Sequence, residues 1–202
     1  MTGIEQLVIA GWTGRDEAAL RKHIHELAEL GVKPPKTTPI FYRVSADLLT
    51  QGSEIQVSGP DTSGEAEFVL MKGEELRVCV GSDHTDRKAE TIGVSLSKQL
   101  CAKPVSKESW RYAEVKPHWE KLVLRSWSDG ELYQEGPVTA MRSPEDLMWR
   151  HPLKPGWAMF GGTLAAKGGI RPAKLFRMEL EDPVRKRKLA HEYRISALPV
   201  EG

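Results

Sequence analysis

The sequence predicts one α+β domain in which β-strands outnumber α-helices. The chain has 202 residues, a length typical of a single domain. Two stretches have the pattern of β-hairpins, whereas only one long stretch has the apolar periodicity of a helix. We therefore expect residues 1–202 to fold as one unit, with a few helices packed outside the β-sheets.

The predicted helix covers residues 16–30. Its apolar side chains recur every three or four positions from Leu20 to Leu30, which is the spacing of one helix face. Asp16 is a suitable N-cap, and Gly31 is a suitable end. The prolines that follow require an extended passage of chain.

Two β-hairpins are predicted from alternating apolar residues and turn signals. Residues 65–70 and 76–80 flank a charged turn that contains a glycine. Residues 122–127 and 131–134 flank an Asp-Gly pair at 129–130, a strong signal for a tight turn between two strands.

The remaining elements are shorter. Residues 92–100 fit a helix or a strand equally well. Ser143 followed by a proline and two acids is typical of a helix start, because serine caps and acids favour the positive end. Further strands are expected at residues 157–160, 175–180 and 192–195.

The charge composition excludes several classes of partner. Lysine and arginine total 29 against 28 aspartate and glutamate, so no general field attracts nucleic acid. The basic run at residues 185–188 is expected to be a solvated turn.

No apolar run approaches the ~20 residues of a membrane-spanning helix, and no secretory leader is recognised. We expect a cytoplasmic protein that binds neither nucleic acid nor membrane.

The two cysteines indicate neither a disulfide framework nor a thiolate zinc site. Cys79 and Cys101 are far apart in sequence and lack the Cys-x-x-Cys spacing of such sites. We expect both to be buried thiols that behave as small apolar residues.

Three carboxylates accompany the first predicted hairpin. Glu65 and Glu67 are two residues apart on a strand, so their side chains leave the same face. Adjacent carboxylates repel, and such a face is therefore either solvated or a site for a hard cation. Asp83 follows the second strand and can approach the pair. The pattern leaves both interpretations open, and the third acid favours a metal site.

Further motifs accompany these acids in a fixed order along the chain. They are a proline-flanked passage at 34–43, Glu65-x-Glu67, Asp83-x-Thr85-x-Arg87, Lys98, the hairpin 129–134 and the glycine-rich loop 162–166. Each motif is weak alone, but their collinear order resembles the fumarylacetoacetate hydrolase superfamily, in an uncharacterised bacterial branch. The resemblance covers most of the chain.

The resemblance implies a fold, an assembly and a metal. The implied fold is a mixed-sheet β-roll with a few helices packed outside. A homodimer is implied, and the six tryptophans also favour it, because aromatic residues are enriched in subunit interfaces. The implied cofactor is Mg²⁺ or Mn²⁺, with Ca²⁺ as a further candidate, bound by Glu65, Glu67 and Asp83.

The resemblance also implies the catalytic residues. His23 and Glu26 match a His-x-x-Glu pair of the superfamily, and their spacing makes them neighbours on the predicted helix, where Glu26 can orient His23 as a water-activating base. Without the resemblance, an ordinary surface pair is the expected interpretation. Lys98 is implied to neutralise a carbanion. Whether the helix closes as a lid is left open.

Four further residues are implied to bind the substrate: Arg87, Gln134, Gly162 and Thr163. Gln134 is expected to donate to a substrate oxygen. Thr163, beside Gly162 in a glycine-rich loop, is expected to hold the substrate carboxylate, since backbone N–H groups can approach closely there.

The implied function is metal-dependent hydrolysis of a carbon–carbon bond in a small 1,3-dicarbonyl or 2-oxo acid, such as an acylpyruvate. Two alternatives remain open. One is a decarboxylase or tautomerase of a 2-oxo acid at the same metal site. The other is a catalytically silent protein that binds the oxo acid.

Overall fold

The computed structural model describes residues 3–29 and 34–201, apart from the side chains of Ala19, His23 and Leu27. Its strands are β1 (Gln6–Gly11), β2 (Ile40–Val44), β3 (Leu49–Thr50), β4 (Glu54–Ser58), β5 (Thr62–Ser63), β6 (Ala66–Lys72), β7 (Leu76–Ser82), β8 (Thr85–Asp86), β9 (Lys103–Pro104), β10 (Trp110–Arg111), β11 (Val123–Ser128), β12 (Glu131–Pro137), β13 (Trp157–Thr163), β14 (Leu175–Asp182) and β15 (Arg187–Leu198). Its helices are α1 (Glu17–Glu29), α2 (Arg87–Glu90), α3 (Val94–Gln99), α4 (Tyr112–Val115) and α5 (Pro144–Arg150), with 3₁₀ turns at Ala46–Leu48, Lys116–Lys121 and Val138–Ala140.

Two mixed sheets form the body of the molecule. The larger has six strands in the order β10-β7-β6-β13-β1-β2, with β1 parallel to β13. The smaller has five strands in the order β12-β11-β14-β15-β4, with β4 parallel to β15. Two short pairs, β3–β9 and β5–β8, lie outside them. The predicted α+β class with mixed sheets is confirmed.

The hairpin β6–β7 lies in the core. Strands β11 and β14 contact β6, and β14 and β15 contact β7, so the five-stranded sheet packs against this hairpin. It covers the face of Ser82, which Tyr193 of β15 contacts, whereas Glu67 pairs with Gly81 and leaves the opposite face. Every residue from Ala66 to Leu70 is nevertheless buried, Glu67 included. The interpretation of this strand as apolar on one face and solvated on the other is therefore wrong.

Both predicted hairpins are present. In the first, Glu67 pairs with Gly81. The second, β11–β12, turns at Asp129 and Gly130, whose φ angles of 51° and 87° are those of a tight turn that fits the twist of antiparallel strands.

Helices α1 and α5 begin next to the N-cap residues that the sequence predicts. Helix α1 begins one residue after the predicted cap Asp16, whereas the predicted end at Gly31 lies outside the described residues. Ser143 Oγ accepts a hydrogen bond from the Asp146 amide and caps α5, as predicted. The undecided stretch 92–100 contains helix α3.

Strand β13 has a bulge at two glycines. Its register against β6 shifts between Phe160 and Thr163, across Gly161 and Gly162. A Cβ atom at Gly161 would lie 2.1 Å from the Phe68 ring, and one at Gly162, where φ is +102°, would lie 1.8 Å from Thr13 Oγ1. Both positions therefore require glycine, and the bulge directs this part of β13 toward the acids of β6.

The two cysteines are buried thiols, as predicted, and the basic run lies at the turn between β14 and β15. Cys79 and Cys101 are free and buried, and burial raises their pKa values to about 12 and about 11. Arg185 and Arg187 pair with Glu114 at 3.1 Å and 3.0 Å, so acids partly neutralise the basic run. Within the described ranges, no helix is long and apolar enough to cross a membrane.

Candidate metal centre

Three carboxylates converge at one end of the hairpin β6–β7. Glu65 immediately precedes β6, Glu67 lies within it, and Asp83 directly follows β7. The Asp83 amide donates to the Glu65 carbonyl at 2.9 Å and extends the ladder past both strand ends. One oxygen from each carboxylate lies within 4.8 Å of the others. The structure thus brings together the three acids that the sequence analysis singled out.

Burial makes it costly to keep three negative charges together in this cluster. Glu67 is 2% exposed and Asp83 is 0% exposed. Burial, followed by repulsion from Asp83, raises the pKa of Glu67 well above its ordinary value. Glu67 Oε2 accepts a hydrogen bond of 2.6 Å from the Gly162 amide. Carboxylate oxygens gathered in this way are the ligands that Mg²⁺, Mn²⁺ and Ca²⁺ prefer, so the donor set fits a hard divalent cation.

Asp83 is held ionised by two lysines. Lys98 Nζ donates to its Oδ2, and Lys103 Nζ lies 3.2 Å from its Oδ1. Burial alone raises the pKa of Asp83, but the two ammonium groups lower it below the ordinary value. The carboxylates of Asp83 and Glu65 raise the pKa of Lys98 despite its burial, so Lys98 is a cation beside the cluster.

Lys103 is a member of the site that sequence reasoning missed. Its side chain is fully buried and donates to the carbonyl oxygens of His84 and Lys98, each at 2.6 Å. A single lysine within the otherwise apolar run 101–105 was the available signal, because a lysine in such a run is buried only when it is paired.

Arg87 supports Glu65. Its guanidinium lies 3.1 Å from Glu65 Oε1 and 2.9 Å from Glu90 Oε2, and its Nε donates to Ser63 Oγ at 2.7 Å. In the structure this predicted substrate ligand is paired with two carboxylates, and its contact with a substrate stays a prediction.

A bound cation would require all three candidate ligands to be ionised, Glu67 included. In that state four carboxylates face three cations: Glu65, Glu67, Asp83 and Glu90 against Arg87, Lys98 and Lys103. A divalent cation would change this excess of one negative charge into one positive charge. An anionic ligand would then be attracted to the loaded site.

Gln134 fastens the loop after β13 to the start of β6. Its Oε1 accepts from the Ala66 amide at 3.0 Å and from Ser126 Oγ at 2.7 Å. Its Nε2 donates to Thr163 Oγ1 at 2.7 Å and to the Leu164 carbonyl at 2.6 Å. The predicted donation to a substrate oxygen would require one of these last two bonds to break.

Thr163 and Gly162 lie beside the carboxylates, as expected for residues of one site. Thr163 Oγ1 donates to the Ala66 carbonyl at 2.8 Å, and the Gly162 amide points at Glu67. The predicted contact of this loop with a substrate carboxylate stays a prediction.

The predicted pair His23 and Glu26 lies on α1. The side chain of His23 lies outside the described part of the structure. The side chain of Glu26 is 54% exposed, and its Oε1 lies 3.7 Å from Lys22 Nζ. The catalytic roles of both residues stay predictions. The chain segment that leads into α1 does reach the site, since Thr13 Oγ1 donates to the Gly161 carbonyl.

A buried polar chain joins the site to the second sheet. The ring nitrogens of His84 lie 2.9 Å from Tyr193 OH and 2.9 Å from Thr62 Oγ1, and Tyr193 OH donates to Ser82 Oγ at 2.8 Å. Burial lowers the pKa of His84 to about 3, so the ring is neutral. Sequence reasoning missed Tyr193, since only the packing of β15 against β7 brings it near.

Comparison with known proteins places the chain in a family. A family described as "Protein of unknown function (DUF2848)" matches residues 10–193. The chain belongs to the DUF2848 family. No curated protein matches it.

Solved structures share the fold of this DUF2848 protein. Fumarylpyruvate hydrolase from Pseudomonas aeruginosa, in complex with Mn²⁺ and pyruvate, has 18% identity and a TM-score of 0.66, covering 96% of this chain and 91% of that one. A fumarylacetoacetate hydrolase family protein from yeast has 15% identity and a TM-score of 0.70, over 97% and 94%. The 5-carboxymethyl-2-hydroxymuconate delta-isomerase from Mycobacterium smegmatis has 14% identity and a TM-score of 0.69, over 99% and 81%. The resemblance to the fumarylacetoacetate hydrolase superfamily is thereby confirmed for the fold.

Replacing Gln134 with leucine in the DUF2848 protein is expected to destabilise it. The Ala66 amide would lose its acceptor in a buried place, which costs about 1–3 kcal/mol. Urea denaturation measures the free energy of unfolding. The control is Gln56→Leu on β4, an exposed position where the change should stay within about 0.5 kcal/mol. Equal losses at both positions would show that Gln134 does not fasten the loop.

Proposed function

We propose that this DUF2848 protein is a divalent-metal-dependent hydrolase that cleaves a carbon–carbon bond in a small 1,3-dicarbonyl or 2-oxo acid. The observation that carries the proposal is the convergence of Glu65, Glu67 and Asp83 within 4.8 Å. The shared fold further supports a metal-dependent enzyme of the fumarylacetoacetate hydrolase type. One of the proteins with this fold is a fumarylpyruvate hydrolase that was solved in complex with Mn²⁺ and pyruvate.

Glu65, Glu67 and Asp83 would hold Mg²⁺ or Mn²⁺, with Ca²⁺ as a further candidate. When bound, the ion would act as a Lewis acid toward two oxygens of the substrate. The lysine pair on Asp83 keeps that ligand ionised, and the Gly162 amide orients Glu67. The positive charge of the loaded site supports an anionic substrate, such as the carboxylate of an oxo acid.

The proposed reaction uses water as the nucleophile. His23, oriented by Glu26, takes a proton from water, whose oxygen adds to the distal carbonyl carbon of the substrate. The bond between that carbon and its neighbour then breaks, and the electron pair passes to the neighbouring carbon. Lys98 stabilises this carbanion electrostatically, and the proton that His23 took from water passes to it and completes the second product. The products are a carboxylic acid and a 2-oxo acid.

Four residues would bind and orient the substrate. We assign its carboxylate to the loop of Gly162 and Thr163, and further substrate oxygens to Gln134 and Arg87. We also propose a homodimer, on the basis of the superfamily resemblance and the tryptophan content. We propose a location in the cytoplasm.

A labelled-water experiment tests the proposed reaction. Acetylpyruvate and related acylpyruvates are incubated in H₂¹⁸O with Mg²⁺ or Mn²⁺, and products are analysed by mass spectrometry. We expect pyruvate and acetate, with ¹⁸O in the acetate carboxylate. The matched control is the Glu67→Gln protein. Turnover of the wild type in excess chelator would reject the metal-dependent scheme.

The labelled-water experiment, together with calorimetry, separates the alternative functions. The shared fold of a delta-isomerase supports a second candidate, tautomerisation or decarboxylation of a 2-oxo acid. Such a reaction would give an isomer, or CO₂ and a shortened product, without cleavage to an ¹⁸O-labelled acid. Binding of an oxo acid in calorimetry without turnover would identify a ligand-binding protein.

A further inference from the structure

We propose that Thr13 is a positioning residue for Glu67, acting through one peptide group of the β13 bulge. The proposal deepens the function proposed above, because Glu67 is one of the three residues assigned to the metal. It concerns a residue on the segment between β1 and α1 that belongs to none of the motifs discussed so far.

One peptide group connects Thr13 to Glu67. The carbonyl of Gly161 and the amide of Gly162 belong to the same planar unit, so their directions are opposed and fixed relative to each other. Thr13 Oγ1 donates to that carbonyl at 3.0 Å, and that amide donates to Glu67 Oε2 at 2.6 Å. Holding the carbonyl therefore aims the amide at the carboxylate.

Thr13 is itself rigidly placed. It is 4% exposed, and its own carbonyl accepts a hydrogen bond of 2.8 Å from the Arg142 amide. The neighbouring Arg15 amide donates to the Ala140 carbonyl at 3.0 Å, and Gly14 forms a bridge with Met141. The segment is thus anchored at Thr13 and at the two residues that follow it.

The bulge has little room for any other arrangement. A Cβ atom on Gly162 would lie only 1.8 Å from Thr13 Oγ1, so the hydroxyl packs directly against the Gly162 Cα atom. Gly162 has a φ of +102°, and the ladder with β6 is interrupted there, so strand pairing alone does not fix this peptide. The hydroxyl supplies both a hydrogen bond and a steric stop.

Glu67 is held by this peptide in a buried place. Its side chain is 2% exposed, and the Gly162 amide donates to its Oε2 at 2.6 Å. With Oε2 held by the amide, Oε1 can be directed at a cation. Helix α1, which carries the proposed pair His23 and Glu26, begins four residues after Thr13, so the same contact ties that helix to the metal ligand.

Three measurements on Thr13→Val and Thr13→Ser test the proposal. Valine keeps the shape but lacks the hydroxyl, whereas serine restores it. Residue-resolved amide hydrogen exchange is measured by NMR in the metal-free proteins, and Mn²⁺ affinity is measured by calorimetry. Urea denaturation gives the free energy of unfolding of each variant.

We expect Thr13→Val to accelerate exchange at Gly162 by more than its change in global stability explains. Mn²⁺ affinity should fall about 10- to 100-fold, the range seen for residues that orient metal ligands. Thr13→Ser should restore both properties. Unchanged exchange at Gly162 in a folded Thr13→Val protein would overturn the proposal. If Thr13→Val does not fold, the serine variant decides: loss of Gly162 protection in folded Thr13→Ser would also overturn it.

The results that would reject the proposed function differ from those that would reject the role of Thr13. A wild-type protein that binds no Mn²⁺, or binds it without any turnover of oxo acids, would remove the enzymatic proposal. The exchange measurement would still report whether Thr13 orients the peptide that faces Glu67.

Discussion

Replacing Glu67 with glutamine is expected to abolish Mn²⁺ binding and turnover together while leaving the metal-free protein folded. Glutamine has the same size and keeps an oxygen for the Gly162 amide. It removes a charge that burial and Asp83 disfavour. The metal-free variant should therefore be at least as stable as the wild type. The loss of affinity should exceed the roughly 10- to 100-fold typical of substitutions that only orient a ligand.

Calorimetric titration with Mn²⁺ and a parallel assay with acylpyruvates check this expectation. The control is Glu120→Gln, which removes one carboxylate from an exposed position. It should leave both affinity and turnover unchanged. A Glu67→Gln protein that binds Mn²⁺ as tightly as the wild type would exclude Glu67 as a ligand.

Replacing Asp83 with asparagine should have the opposite effect on stability. Asp83 is the counter-charge of Lys103, which is fully buried, and of Lys98. A neutral amide leaves these ammonium groups uncompensated, and breaking a buried pair in this way costs about 3–5 kcal/mol. We expect Asp83→Asn to unfold at a much lower urea concentration than the wild type.

Urea denaturation in the presence of EDTA measures this loss without a contribution from bound metal. Glu67→Gln is the matched comparison, because it neutralises another carboxylate of the same cluster. Similar stabilities for the two variants would mean that the lysines do not depend on Asp83. The comparison distinguishes Asp83, whose charge is balanced by two lysines, from Glu67, whose charge is disfavoured by burial.

The features predicted correctly from the sequence are those set by short stretches of chain. The Asp129-Gly130 turn fixes the second hairpin because its backbone conformation is encoded in two adjacent residues. Glu65, Glu67 and Asp83 could be grouped because one hairpin carries all three. Their convergence therefore needed only the register of two neighbouring strands.

The features missed from the sequence depend on distant parts of the chain. Glu67 is buried, and the Gly162 amide that contacts its carboxylate is 95 residues away, so no local pattern shows that this contact will form. The contact of Tyr193 with Ser82 spans 111 residues. Such contacts arise only when the two sheets assemble.

Helix α3 shows why periodicity alone could not decide the stretch 92–100. Leu96 in this helix and Leu100, which follows it, are 44% and 47% exposed, whereas Lys98 is 6% exposed. The ordinary rule of apolar residues inside is inverted here because Lys98 turns inward to pair with Asp83. An electrostatic requirement of the site overrides the usual burial preference.

The most direct test of the proposed metal site is a crystal structure of the protein soaked with MnCl₂, with anomalous diffraction recorded at the manganese edge. We expect one strong peak in contact with oxygens of Glu65, Glu67 and Asp83, at about 2.0–2.6 Å as hard divalent cations require. A peak located elsewhere, or carboxylates that stay paired with Lys98 and Arg87 without any peak between them, would contradict the proposed site.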